Sequence, residues 1–287
     1  MNKPLSYDCL EAVLVVLPPH QHVHFWIVGC GGTGSFLVQL IIRIARSLVG
    51  SGKSSTLTLV DPDQVELKNV ITRQCFCEAE IGLNKAKALA ARYSLAWTCD
   101  QLTIEAIPEK FDHRWLKHPL NTLTVLLGCV DNAAARRILH TALADNRYYT
   151  AQHLWYLDAG NGDRWGQVLV GSSHSTQPKD YEFSELGCLR LPAPGIQAPE
   201  LLLDKPEEQE TPQLSCEELA LLNQQSLTVN AQSATLAADL ALELVTGKLT
   251  QFAVHFDLKT RTTRARYITQ SAIAAILPGS TAPTQAA

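Results

Sequence analysis

The chain has 287 residues, of which 46% are hydrophobic and 18% charged, with a net charge of −4. Such a chain can bury a sizeable core in one large domain or two small ones, and its charge gives no reason to expect nucleic-acid binding. No apolar run is read as reaching the ~18 residues that span a bilayer, and Met1–Leu10 lacks a secretory pattern. The eight cysteines form no CxxC pair. They are read as reduced thiols of a cytoplasmic protein, with neither a disulfide framework nor structural zinc.

Residues 1–22 read as a short lead, with one helix over Asp8–Leu17 stopped by Pro18-Pro19. His24–Val28 follows as a buried strand, and Ser35–Leu48 is long and apolar enough for a helix. Between them lies Gly29-Cys30-Gly31-Gly32-Thr33-Gly34, in the strand–turn–helix context that gives a Gly-x-Gly-x-x-Gly pattern its meaning. One glycine allows the tight turn, one lets backbone N–H groups approach a phosphate, and one lets the helix pack on the strand. The helix N-terminus adds partial positive charge for an anion. The later Gly50-Ser51-Gly52-Lys53-Ser54 reads as a loop. Ser47 stands where a phosphate loop needs glycine, and the helix–loop–strand order is the reverse of the one required.

Leu57–Val60 is the second strand, closed by Asp61-Pro62-Asp63. An acidic residue at the end of this strand suits a ribose hydroxyl, with an Asp-Pro turn as the lesser alternative for Asp61. Then come Asn69-Val70-Ile71-Thr72-Arg73-Gln74 and Ile81-Gly82-Leu83-Asn84-Lys85, the last opening an alanine-rich helix to about Ala96. Thr98–Ile104 is the third strand and Lys110–His118 a short helix. Thr122–Cys129 is the fourth strand, ending at Val130-Asp131-Asn132, and Ala133–Asp145 is helical. Alternating strands and helices specify a doubly wound, mostly parallel sheet, with ligands beyond the carboxyl ends of the strands. Gly29, Asp61 and Asp131 all stand at such ends.

From Trp155 the pattern changes. Trp155–Gly160 and Gln167–Gly171 read as a hairpin about Asn161-Gly162-Asp163. Residues 173–215 form a proline-rich, acidic segment of little periodicity, read as a structureless crossover. It ends at Ser215-Cys216-Glu217-Glu218, a capping-box pattern that opens a helix. A second helix, Thr228–Thr246, and strands at Gln251–Leu258 and Arg264–Ile268 complete the same domain over 216–277, and 278–287 reads as a disordered tail.

Arg73, Lys85 and Asp131 are groups that nucleoside triphosphate chemistry needs. Arginine and lysine neutralise phosphate charge, and an aspartate can hold Mg²⁺. The glycine turn and Asp61 alone would also serve a nicotinamide-dependent oxidoreductase, but hydride transfer needs neither Lys85 nor Asp131.

The set Gly29-x-Gly31-Gly32-x-Gly34, Asp61-x-Asp63, Asn69…Arg73-Gln74, Gly82-x-x-Lys85 and Asp131-Asn132…Arg136 resembles the ThiF/MoeB superfamily of activating enzymes for ubiquitin-like and sulfur-carrier proteins, over roughly residues 20–260. Within it the chain is most similar to the ThiF-family member of PRTRC gene clusters. The resemblance implies a Rossmann-like sheet extended by antiparallel C-terminal strands, with 23–172 as the ATP-binding adenylation half and 173–215 as the crossover. It also implies ATP- and Mg-dependent adenylation of a partner's C-terminal glycine. The nucleotide is then held by Gly29, Gly31, Gly32, Gly34, Asp61, Asp63, Asn69, Arg73, Gln74, Lys85, Asp131 and Asn132. Asp61 takes the ribose, Asn69, Arg73 and Lys85 the phosphates, and Asp131 the Mg²⁺.

Cys216 is the candidate nucleophile for a thioester, with transfer to a conjugating enzyme to follow. The first turn of a helix lowers a thiol pKa, although Glu217 and Glu218 oppose that, and an inert helix cysteine is the alternative. Cys188 is the rival, while Cys30 and Cys129 read as packing residues. A homodimer is also implied. Three features depart from the superfamily pattern: one extra residue between Asn69 and Arg73, no CxxC zinc motif, and no arginine before Arg43 to reach a dimer partner's nucleotide. The extra residue admits a second class of function, a non-catalytic partner-binding scaffold.

Overall fold

The computed structural model describes residues 8–71, 74–117, 119–148, 152–204 and 228–277. Eight strands form one sheet: β1 (His22–Val28), β2 (Ser54–Val60), β3 (Leu102–Ile107), β4 (Thr122–Gly128), β5 (Leu154–Asn161), β6 (Trp165–Gly171), β7 (Gln251–Asp257) and β8 (Thr262–Tyr267). Their order is β3-β2-β1-β4-β5-β6-β7-β8. The first five run parallel and the last three are antiparallel. The doubly wound sheet with an antiparallel extension is therefore present as the sequence predicts.

Among the described residues, four long helices accompany it: α1 (Gly32–Gly50), α2 (Lys85–Trp97), α3 (Ala133–Ala142) and α4 (Val229–Val245). α1 packs on β1 and β2, and α4 lies against α1, β5 and β6. Val23, Phe25 and Ile27 of β1 join this larger core, with Leu37, Ile41 and Ile42 of α1 and Ala237 and Leu244 of α4. On the opposite face Trp26 and Val28 meet Phe111, Leu116 and Leu139 of α3. β1 is thus apolar on both sides, as a central parallel strand must be.

α1 also corrects the membrane expectation. Its 19 residues are long and apolar enough to cross a bilayer by length and composition. That apolarity is accounted for by burial, since ten of its residues are enclosed by the sheet and its neighbours.

Several elements differ from expectation. Among the described residues, the lead is helical only over Asp8–Glu11. Beyond it Val13 donates to the Ile268 carbonyl, Val15 to Leu249 and Val16 to Cys188, because β-branched residues here run extended across the C-terminal elements. Third-strand pairing starts at Leu102 rather than Thr98, because the Leu102 amide first closes a turn onto the Cys99 carbonyl. The helix expected over Lys110–His118 is a single 3₁₀ turn, His113–Trp115, capped by Asp112. Its apolar neighbours Phe111 and Leu116 plug the second core instead.

The crossover is not structureless over 173–204. It holds 3₁₀ turns at Pro178–Tyr181 and Pro199–Leu202 and a short helix at Pro194–Gln197. Prolines erase its periodicity, yet Tyr181, Cys188, Leu191 and Ala193 are buried. The helix expected at Ser215–Glu218 and the tail 278–287 lie outside the described residues.

Candidate functional site

A cleft of about 1200 Å³ opens at the carboxyl ends of the parallel strands. It sits where the chain leaves β1 for β2 on one side while β4 lies on the other, the topological switch point of the sheet. The glycine turn forms its floor. Gly29 has φ 90°, and a Cβ there would stand 2.6 Å from the Cys129 carbonyl oxygen. A Cβ on Gly34 would lie 1.9 Å from the Gly29 carbonyl oxygen. α1 begins at Gly32, three residues before the predicted Ser35. The last two glycines are therefore inside its first turn, where backbone and neighbours are too close for a side chain.

Asp61 is buried beside this turn. Its carboxylate accepts the Cys30 amide at 2.6 Å and the Asp63 amide at 2.8 Å. Burial pushes its pKa up, against the lowering effect of those two amides. Asp63 stands at the exposed rim and pairs with Lys85 at 3.1 Å, whose side chain is largely buried. Asn84 fixes this corner, donating to the Asp61 and Asp63 carbonyls while capping α2 through the Lys87 amide.

Asn69 is buried in the short helix Leu67–Ile71 and accepts the Glu66 amide at 2.8 Å. Gln74 lies against Gly31. The next residue, Cys75, donates its amide to Ser35 Oγ at 2.9 Å, and Arg92 grips the Cys75 carbonyl at 2.9 Å while pairing with Glu80. The loop after Arg73 is thereby pinned to α1. Arg73 itself lies outside the described residues.

At the end of β4, Asp131 is exposed and Asn132 caps α3 by accepting the Ala135 amide at 2.9 Å. Arg136 is buried just behind. It donates to Asp158 at 3.1 Å and to the Val130 carbonyl at 2.7 Å, and Tyr156 also donates to Asp158. Burial, then the Asp158 charge, pushes the Tyr156 hydroxyl well above its ordinary pKa.

The structure thus brings the glycine turn, Asp61, Asp63, Asn69, Gln74, Lys85, Asp131, Asn132 and Arg136 to one cleft. It adds residues that the sequence reading missed. Asn161 and Asn230 line the cleft, joined through the Asn161 amide donating to Asn230 at 3.0 Å, and Thr33 donates to Asn161 at 3.1 Å. Asn161 ends β5, so the strand-end rule applied to the other strands points to it. Asn230 carries no sequence signal; it stands 197 residues from Thr33. Lys110 also lines the cleft, concealed by the expected helix.

Three helix N-termini converge here, through Gly32 and Thr33 of α1, Ala134 and Ala135 of α3, and Asn230 of α4. Each contributes partial positive charge suited to an anion.

Cys188 is fully buried, and burial pushes its thiol up to about 12. Cys30 is fully buried and Cys129 partly so, as packing residues should be. Cys216 lies outside the described residues. Gly50–Ser54 is at the opposite end of the strands from the cleft, where Lys53 meets His20 at 2.7 Å.

Fold and cleft together define a doubly wound α/β protein with a cleft at its switch point whose helix N-termini suit an anion. Residues 20–272 match the ThiF family model, and the chain belongs to the ThiF family. Its sequence is similar to the human ubiquitin-like modifier-activating enzyme 7, with 28% identity over 164 residues that make up 54% of this chain and 14% of that protein. It is also similar to the adenylyltransferase and sulfurtransferase MOCS3 of Drosophila ananassae, with 33% identity over 116 residues, 40% of this chain and 24% of that one. The chain therefore spans under a quarter of each of these two curated relatives.

Among solved structures, PaaA aligns with TM-score 0.51 and 19% identity, covering 86% of this chain and 64% of PaaA. E. coli MccB in complex with AMPCPP and MccA aligns with TM-score 0.52 and 16% identity, covering 85% of this chain and 63% of MccB. At these identities the likeness is one of fold.

Proposed function

We propose that this protein activates the C-terminal carboxylate of a ubiquitin-like or sulfur-carrier protein by ATP-dependent adenylation. The observation that carries the proposal is the convergence of three helix N-termini, the glycine turn and Lys85 on one cleft with Asp131 at its edge. Membership of the ThiF family supports it, as do relatives whose names record modifier activation and adenylyl transfer. E. coli MccB, similar in fold, has been crystallised with ATP.

In this proposal the amides of Gly31–Gly34 receive phosphate oxygens, and Asp61, already oriented by two amides, presents its remaining lone pairs to the ribose. The substrate carboxylate attacks the α-phosphorus. A C(O)–O–P bond forms and the bond to pyrophosphate breaks. The repulsion between carboxylate and phosphates is the main obstacle, and fixed positive charge lowers it. Lys85 keeps two ammonium protons beyond the one given to Asp63.

Asp131 would hold Mg²⁺. Among the described residues no three His, Cys, Asp or Glu side chains form a metal site of their own. A single exposed carboxylate nevertheless suits Mg²⁺, which is bound through one or two carboxylates plus substrate phosphates. The ion would supply further neutralisation of phosphate charge.

In the fuller form of the proposal, the Cys216 thiolate attacks the acyl carbon, a thioester forms and AMP leaves. Both flanks of the segment that carries Cys216 support this. Asp204 is held by Arg137, the neighbour of Arg136, at 2.9 Å, and Asn230 lines the cleft. The burial of Cys188 supports Cys216 over its rival.

Pyrophosphate exchange that depends on a protein or peptide ending in glycine tests adenylation, with Asp131→Ala expected to abolish it. Absence of ATP binding by calorimetry would overturn the proposal in favour of a partner-binding scaffold.

A further inference from the structure

We propose that the exposed face of the antiparallel extension, built from Trp165, His255, Arg264 and Arg266, docks an acidic face of the protein whose carboxyl terminus enters the cleft. The proposal rests on the reading above that the substrate is a protein carboxylate. It begins with charge. Lys259, Arg261, Arg264 and Arg266 fall within eight residues that hold no acid, in a chain whose net charge is −4.

Strand alternation then sorts these groups. Ala265 packs against the main core, so Arg264 and Arg266, on either side of it, face away from that core, and both are exposed. The register sets Arg264 opposite His255, His255 opposite Gln167 and Gln167 opposite Gly160. This row crosses the sheet from its outer edge to β5, whose end lines the cleft. Trp165 is 54% exposed, and its indole lies over Gly162 of the cleft wall. The patch is therefore continuous with the site.

Among the described residues, no ion pair engages Lys259, Arg261, Arg264 or Arg266. The nearby Asp257 is occupied in accepting the Lys259 and Thr260 amides. Edge strands are commonly charged to block sheet-to-sheet pairing. That role needs neither a single sign nor an exposed indole beside the charges. Tryptophan and arginine together are the residue types concentrated at binding hot spots. A basic or neutral partner would leave these arginines desolvated and unpaired, so the surface selects an acidic one.

The test uses two fluorescein-labelled peptides with the same Gly-Gly carboxyl terminus, one rich in Asp and Glu and the other in Lys, and the full chain. By anisotropy the acidic peptide should bind, more weakly as salt rises. The double reversal R264E/R266E should weaken it about tenfold, as should Trp165→Ser, with ATP binding by calorimetry unchanged. The control reversal R43E/R46E, on exposed cations of α1, should leave binding unaltered. Equal binding of both peptides, or an equal effect of the control reversal, would overturn the docking surface. A change in oligomeric state on R264E/R266E would overturn it in favour of a second copy of this chain. Acidic-peptide binding without pyrophosphate exchange would retain the surface and refute adenylation. Exchange that proceeds equally with both peptides would do the reverse.

Discussion

The buried Arg136–Asp158 pair gives the sharpest prediction, because both partners are enclosed and both connect to the cleft. Their side chains are 6% and 1% exposed, and Nε meets Oδ2 at 3.1 Å. Asp158→Asn keeps the shape and an acceptor for Tyr156 but leaves the guanidinium without its counter-charge. At roughly 4 Å and an effective dielectric near 20, the lost attraction is about 4 kcal/mol. Removing one partner of a buried pair typically costs about 3–5 kcal/mol. Since whole domains are stable by only about 5–15 kcal/mol, the variant should be folded but far weaker. Urea unfolding at neutral pH is the assay, read as a lower midpoint at unchanged slope. Arg136→Met placed on Asp158→Asn should recover most of the loss, because no uncompensated charge then remains. Arg136 also holds the Val130 carbonyl, next to Asp131, so Asp158→Asn should weaken nucleotide binding as well. A loss below about 1 kcal/mol, or no recovery in the double variant, would refute the view that the pair is an electrostatic unit.

Gly34→Ala forces a Cβ to within 1.9 Å of the Gly29 carbonyl, a backbone atom that cannot swing aside, so it should lower the thermal midpoint and abolish nucleotide binding in titration. Gly50→Ala meets nothing within 4 Å and should leave both unchanged or gain up to about 1 kcal/mol. Glu80 supplies a pH test. Burial opposes its charged form, but hydrogen bonds from Arg92 and the Cys77 amide outweigh that and hold its pKa below the ordinary value of 4.5. The stability it contributes is therefore fully present above that value and is lost as pH falls through the depressed folded value. The gap between wild type and Glu80→Gln, from urea midpoints, should stay constant from pH 7 to about 5 and close at lower pH. A pH-independent gap would contradict the assignment.

The parallel half of the fold was legible in the sequence because its strands are apolar on both faces and its helices are spaced between them. The glycine turn, Asp61 and Asp131 were legible because strand ends are where a doubly wound sheet puts ligands. What escaped depends on contacts distant in sequence. Nothing near Asn230 reveals that a helix from the far end of the chain brings it to Thr33. The crossover hid its order because prolines removed the periodicity on which sequence reading depends, while Tyr181 and Leu191 still found burial. Lys110 was assigned to a helix that Asp112 and the burial of Phe111 convert to a single turn.

The same distance explains why α1 is so apolar. A helix on one face of a sheet needs a single apolar stripe. α1 is buried more broadly, because the sheet covers one side and α4 another. Its N-terminus carries the glycine turn, and the N-terminus of α4 carries Asn230, whose carboxamide lies within 3 Å of where a Cβ on Gly32 would stand. One helix pair therefore serves two purposes. Its packing buries the faces of both helices, and the same packing brings their N-termini together at the cleft. Residues 23–172 alone would lack α4 and would expose the apolar side of α1. In this protein the cleft is completed by Asn230, which follows the crossover in the chain.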